Sequence, residues 1–212
     1  MDEATRARLG EQTEPGDRGP APGPLRLVQQ FLNTHNHEFP READRLGTPE
    51  KAGHWLVGHG LLPMGTEIDE EDRRRLVQAR DALRALATAN RGRRVDAAHL
   101  RVLNEAGASC LAIRFGLDGR PRLEPAADGV AGALGRILLA GYQSWLAGTW
   151  ARLKGCAQCE WVFFDRSKNR SGTWCSMTIC GNRTKNRAYR RRRSNAVAEP
   201  GGRRREPGRQ GP

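Results

Sequence analysis

Cys156-Ala-Gln-Cys159, a gap of fifteen residues and then Cys175-Ser-Met-Thr-Ile-Cys180 constrain this chain more than any other feature. Two residues inside the first pair allow a tight turn to aim both sulfurs at one point, and the gap is long enough for a hairpin that returns the second pair. Four thiolates complete a closed tetrahedral site for one structural zinc, with Cys156, Cys159, Cys175 and Cys180 as ligands and no open position for a catalytic water. Two disulfides are the competing arrangement, and they need an oxidising compartment. The N-terminus, Met1-Asp2-Glu3-Ala4-Thr5-Arg6, has no apolar signal-peptide core, which favours zinc and a cytoplasmic, nucleoid-associated location.

Charge is concentrated in the same region. From Arg152 to the end, 16 Lys and Arg face 4 Asp and Glu, so the whole net charge of +12 lies C-terminally. A field focused in this way attracts polyanions, chiefly nucleic acid. Double-stranded DNA is the expected partner, RNA the alternative, and no membrane partner is expected.

The same residues carry a resemblance. The run Cys156-x2-Cys159-x-Trp161-x-Phe163-x-Asp165-x-Ser167-x-Asn169-x-Ser171, then Trp174-Cys175-Ser176-Met177, then Cys180-Gly181-Asn182-Arg183-x-Lys185 resembles the CGNR zinc-finger family of bacterial proteins. It spans roughly residues 150 to 193. Members usually carry an ABATE domain ahead of the finger, and Leu27 to Thr34, ending in Phe31-Leu32-Asn33-Thr34, is similar to that domain's early signature, with Gln30 where many members have Asp. The resemblance implies a stress-induced transcription regulator.

Residues 1 to 24 mix Gly, Pro and charge with almost no apolar content, which predicts disorder. Leu25, Val28, Phe31, Leu32 and His35 fall near helical spacing and predict an amphipathic helix. His35 and His37 lack companions at ligand spacing and read as surface or capping residues. Thr48-Pro49-Glu50 is a helix start, with Thr48 as N-cap and Pro49 in the first turn, leading to Trp55, Leu56 and a stop at Gly58 and Gly60. Asp69-Glu70-Glu71-Asp72 opens a long helix to about Asn90, and Asp96 caps a shorter one that ends near Gly107. Cys110 to Phe115, the turn Asp118-Gly119 and Arg120 to Glu124 predict a hairpin, with Cys110 a small core residue in its first strand. Val130 to Leu146 returns to helical period, and Leu134, Ile137, Leu138, Tyr142 and Trp145 read as its core face. The short link from Gly148 to Lys154 predicts that finger and domain pack together.

Inside the finger, Trp161, Phe163 and Asp165 alternate with Val162 and Phe164, the period of a strand with one face toward the metal. Trp174 is expected opposite them, so Trp161, Phe163 and Trp174 are read as structural, with base stacking as the alternative use. Asp165 to Ser171 is expected as the hairpin tip, with short polar side chains bonding turn backbone and Arg166, Lys168 and Arg170 projecting for phosphate contact. Gly181 supplies a permissive backbone after the last ligand, and Asn182 reads as the N-cap of a helix over Arg183 to Arg193, or as support for the thiolates. Arg183, Arg187, Arg190 and Arg191 line one face of that helix, with Lys185 beside them, as in treble-clef or GATA-type fingers that enter a major groove; for Arg183, support of the thiolates is an equal alternative. Residues from Ser194 on read as a disordered basic tail.

The expected fold is α+β, mainly α. An orthogonal helical domain with a β-hairpin spans 25–150, and a small treble-clef-like four-cysteine finger ending in a basic helix spans 151–193. The expected function is DNA-binding transcription regulation, with the N-terminal domain sensing a signal or contacting protein, and a homodimer supplying the specificity that one finger lacks. No paired carboxylates, nucleophile with a positioned base, or phosphate-binding glycine loop stands out, so an enzyme ranks behind an RNA-binding protein.

Overall fold

Leu25–Leu32 (α1) is the centre of the N-terminal core, because its apolar stripe turns wholly inward and leaves Arg26 in water: Leu25, Val28, Phe31 and Leu32 are fully buried, and so is Gln29. The computed structural model describes residues 18–35 and 44–198, with side chains to 194. The disorder expected of residues 1–17 and 199–212, and His37, lie outside the described residues.

Around α1 stand Pro49–Gly58 (α2), Glu70–Ala89 (α3), Ala97–Cys110 (α4) and Gly129–Leu146 (α5), with the antiparallel hairpin Leu111–Phe115 (β1) and Pro121–Pro125 (β2) between the last two. The starts of α2, α3 and α4 are fixed locally. Thr48 accepts a hydrogen bond from the Lys51 amide, Asp69 from Asp72 and Asp96 from Ala98, each satisfying a first-turn donor that the helix leaves without a partner. The molecule is mainly helical, with two small β-hairpins.

Two expectations are corrected here. Cys110 is the last residue of α4, not part of β1, because that helix continues past Gly107 until its end meets α5. Gly135 makes this approach possible, since a Cβ there would lie 2.4 Å from the Cys110 carbonyl oxygen. Tyr142 and Trp145 are exposed, at 46% and 66%, while Leu134 and Ile137, nearer the start of the helix, are buried. Trp145 falls on nearly the same side as Leu134, so periodicity alone cannot say how far along the helix that side stays covered.

Beyond α5 a single 3-10 turn, Trp150–Arg152, leads into Leu153–Gly155 (β3), which pairs antiparallel with Val162–Phe164 (β4) in the register Leu153 with Phe164. Asn90, at the C-terminus of α3, donates from Nδ2 to the carbonyls of Trp150 and Leu153 and so ties this link to the helical core. Leu153, Val162 and Phe164 belong to the N-terminal core, whereas Phe163 and Trp161 face the cysteines. Alternation along one strand therefore serves two cores, and the expected packing of finger on domain is present.

Arg18 to Pro24, expected to lack structure, lies against the finger. Ala21 is buried, its amide donates to Gln29 Oε1 at 2.6 Å, and Arg18 sits 4.7 Å above the Phe163 ring. A few specific bonds and one cation–π contact hold a segment whose composition alone gave no reason for order.

Candidate metal centre and nucleic-acid interface

Cys156 opens a tight turn closed by a hydrogen bond from the Glu160 amide to its carbonyl at 3.1 Å, and the turn rejoins the hairpin through the Cys156 amide and the Trp161 carbonyl. Glu160 adopts φ 61, the left-handed conformation that favours glycine, so a residue adjoining a ligand holds a locally costly backbone. The second pair is arranged differently. Met177–Gly181 is a π-turn, begun by Ser176, whose hydroxyl accepts from the Ile179 amide, and closed by the Gly181 amide on the Ser176 carbonyl. That i to i+5 bond brings Cys180 back beside Cys175 across four intervening residues.

The four sulfurs lie within 4.8 Å of one another and all four residues are buried. Cys159 to Cys175 and Cys180 to Cys159 are 3.6 Å, and Cys175 to Cys180 is 3.7 Å. A zinc tetrahedron with bonds of about 2.3 Å has edges of about 3.8 Å, so these separations fit the metal. The sulfurs also disagree over protons: thiol hydrogen bonds from Cys159 and Cys175 pull Cys156 well below the usual thiol range. The bond to Cys156 pushes Cys159 up to about 12. A divalent cation reconciles four thiolates at this spacing, and the site is one for a single structural zinc.

Asp165, expected both in the strand alternation and at the start of the hairpin tip, is the anchor of the fingertip. It is completely buried, and its carboxylate accepts from Lys154 Nζ at 2.9 Å, Arg18 at 3.0 Å, the Ser167 amide at 3.0 Å and the Gly172 amide at 2.7 Å. Burial would raise its pKa, but the bonds from Lys154, Ser167 and Gly172 outweigh that and hold it well below the usual carboxylate range. Gly172 is required by packing, because a Cβ there would lie 2.6 Å from the Asp165 carboxyl carbon. Lys154, Arg18 and Glu160 were not singled out from sequence; only the alternation around Asp165 could have pointed to this network.

Asn182–Ala198 (α6) continues directly from the π-turn. Two expectations change as a result. Asn182 is not the N-cap, since it already has helical φ and ψ of −66° and −40° and is exposed; Ser176 caps the turn instead. Gly181 does not use a left-handed backbone; its smallness matters because a Cβ would sit 3.1 Å from Met177 Sδ. The helix also runs beyond Arg193 to Ala198.

Of the expected nucleic-acid contacts, Arg183, Lys185, Arg187, Arg190 and Arg191 are exposed on α6, and Lys168 and Arg170 are exposed at the fingertip. Arg166 folds back instead, donating to the Pro20 carbonyl at 2.7 Å and lying 5.4 Å above the Phe164 ring. Trp161 and Phe163 are buried against the cysteines, and Trp174 is half-buried beside them. No helix among the described residues is long and apolar enough to cross a membrane.

Residues 152–193 match the family model of the CGNR zinc finger, and residues 25–152 match the ABATE model, described as "Putative stress-induced transcription regulator". No curated protein matches the chain. The literal Cys180-Gly181-Asn182-Arg183 sequence coincides with the last metal ligand, the close-packed turn and the first two residues of the basic helix. With the second of these models covering more than half of its 212 residues, the chain belongs to the ABATE family and carries a CGNR zinc finger directly after that domain.

Proposed function

We propose that the chain is a DNA-binding transcription regulator whose finger offers α6 to a duplex. The observation that carries this reading is the helix itself: seven Lys and Arg and no acid between Asn182 and Ala198, all seven cations exposed, on a helix rooted in the metal site. Arg183 and Arg187, nearest the root, read base edges, whereas Arg190 to Arg193, Lys168 and Arg170 contact phosphate. The N-terminal domain serves as sensor or protein contact, and a second copy supplies the specificity that a single helix lacks. The thiol ligands suit a reducing compartment that also holds the chromosome.

RNA remains the second reading because Tyr189 presents a ring in the middle of the arginines, exposed at 59%. Burial of Trp161 and Phe163 favours duplex DNA, since neither ring offers a face to an unpaired base. Competition among duplex DNA, RNA and single strands, with salt titration, tests the proposal. On duplex DNA, Arg190→Ala flattens the slope of log affinity against log salt by about one unit, and Arg187→Ala costs roughly 1 to 3 kcal/mol at one base position. Zinc-loaded alanine variants that keep wild-type affinity and slope would overturn it.

A further inference from the structure

Arg80 and Arg84 stand one turn apart on α3, and both are buried, at 3% and 7% exposure. Two guanidiniums removed from water at this spacing each need an anion. Arg80 has one: both oxygens of Asp44 lie 2.7 and 2.9 Å from its Nη1, and Asp81 lies 2.9 Å from its Nε. Arg84 is treated differently. Its Nη2 donates to the main-chain carbonyls of Leu32 and His35, its Nε is buried with no hydrogen-bond partner, and it forms no ion pair among the described residues. Burial lowers its pKa to about 10, with Arg80 adding to the effect and the more distant charges of Asp81, Glu160 and Asp44 opposing it, so the group remains a cation at neutral pH.

Arg84 lines a cleft of about 870 Å³ between α3, the first turn of α4 and the finger. Across from it His99 holds a second buried polar atom without a partner, Nδ1. The N-terminal end of α4, capped by Asp96, opens on the same space, and Arg93 and Arg94 stand exposed at the rim; of the acids that share the lining, Asp44 and Asp81 are held by Arg80 and Asp96 by the helix end. The volume falls within the range of small-molecule sites.

We propose that this cleft binds a small, multiply charged anion, a carboxylate or phosphate, with Arg84 as its counterion and His99 as a second donor. The planar guanidinium suits either chemistry through paired hydrogen bonds. The location gives the site a route to the finger. Leu32 and His35, whose carbonyls hold Arg84, flank Asn33, and Asn33 grips the finger by both polar atoms of the Val162 main chain, at 2.8 and 2.9 Å. Glu160, beside ligand Cys159, forms the finger's part of the wall. The inference rests on the sensing role given above to the N-terminal domain, and binding is read without nucleic acid, so its failure is separate from failure of the DNA-binding reading.

The test is calorimetry and thermal unfolding of the zinc-loaded full chain with inorganic phosphate and, separately, citrate, both at constant ionic strength. At least one of them is expected to bind saturably, one per chain, and to raise the unfolding temperature. Response to phosphate alone points to a phosphorylated ligand, response to citrate alone to a carboxylate, and response to both to the shared anion chemistry. Arg84→Met weakens binding on the order of tenfold or more. Ala85→Trp, which fills the cleft from the same wall and leaves Arg84 in place, abolishes it and keeps the inference falsifiable if Arg84→Met fails to fold. Glutamine at Arg190 to Arg193 leaves binding unchanged, which separates the cleft from the basic helix. The inference fails if neither anion binds, if binding survives both Ala85→Trp and Arg84→Met, or if it is lost with the helix arginines.

Discussion

Asp165 holds four donors at once, two of them cationic side chains, and the fingertip folds around it. Removing one member of a buried pair leaves the other as an uncompensated charge, which costs more than the pair itself contributes. Asp165→Ala is therefore expected to lower unfolding free energy by about 3–5 kcal/mol in denaturant titrations of zinc-loaded protein. Combining it with Lys154→Met recovers a large part of that loss. A single-variant cost below about 1 kcal/mol, the size of an exposed pair, would show that the carboxylate is not the anchor. Residue order gives only part of this. Asp165 opens a tip whose short polar side chains are expected to bond turn backbone, and it does so at Ser167 and Gly172; its cationic partners Arg18 and Lys154 come from distant or unremarked positions.

Elements whose ends are set by neighbours along the chain were legible, and those set by distant contacts were not. Thr48 and Asp96 cap as their sequences predict, and Asp69, read as one of a group of first-turn acids, proves to be the cap of its helix; each bond lies within three residues. Asn182 was misread as an N-cap because the π-turn that brings Cys180 to the metal site leads into the helix without a break. The cysteine spacing itself was readable because metal geometry limits it closely. Asn33 shows the opposite case: its tetrad was recognisable, but its grip on Val162 is a contact across the fold. Asn33→Leu orphans buried polar groups at β4, at about 1–3 kcal/mol for each group left unpaired. The direct measurement is hydrogen exchange, where the Val162 amide should lose protection first. In α6, like charges three and four residues apart oppose helix formation by about 0.2–0.5 kcal/mol per pair. Its helical circular dichroism should grow on adding duplex DNA, and more weakly on adding salt; an unchanged signal means the helix needs no polyanion to form.

At the level of the whole molecule, finger and domain are not separate bodies. Leu153, Val162 and Phe164 contribute to the core built on α1, at roughly 1.5–3 kcal/mol for each large apolar side chain buried. A chelator that removes zinc should then lower the stability of the helical domain as well. Thermal unfolding is expected to move to lower temperature as one transition, with fluorescence from Trp55 in the domain and Trp161 in the finger changing together. Two transitions, with the Trp55 signal unshifted, would mean that β4 contributes little to the larger core. The same consequence applies to Cys175→Ser, which removes one ligand without a chelator.

Among the described residues, the basic helix is held at its base. Seventeen residues at about 1.5 Å each make a rod of about 26 Å, held at its base by a turn that contains a metal ligand. A tilt of about 10° at such a base carries the far end through about 4 to 5 Å, a sizeable fraction of the spacing between phosphates across a groove. The arginines therefore sit on a pointer whose bearing is set by the cysteine cluster. A displacement at β4 too small to disturb the zinc would still be large enough, at the tip, to decide which phosphates the last four arginines can reach.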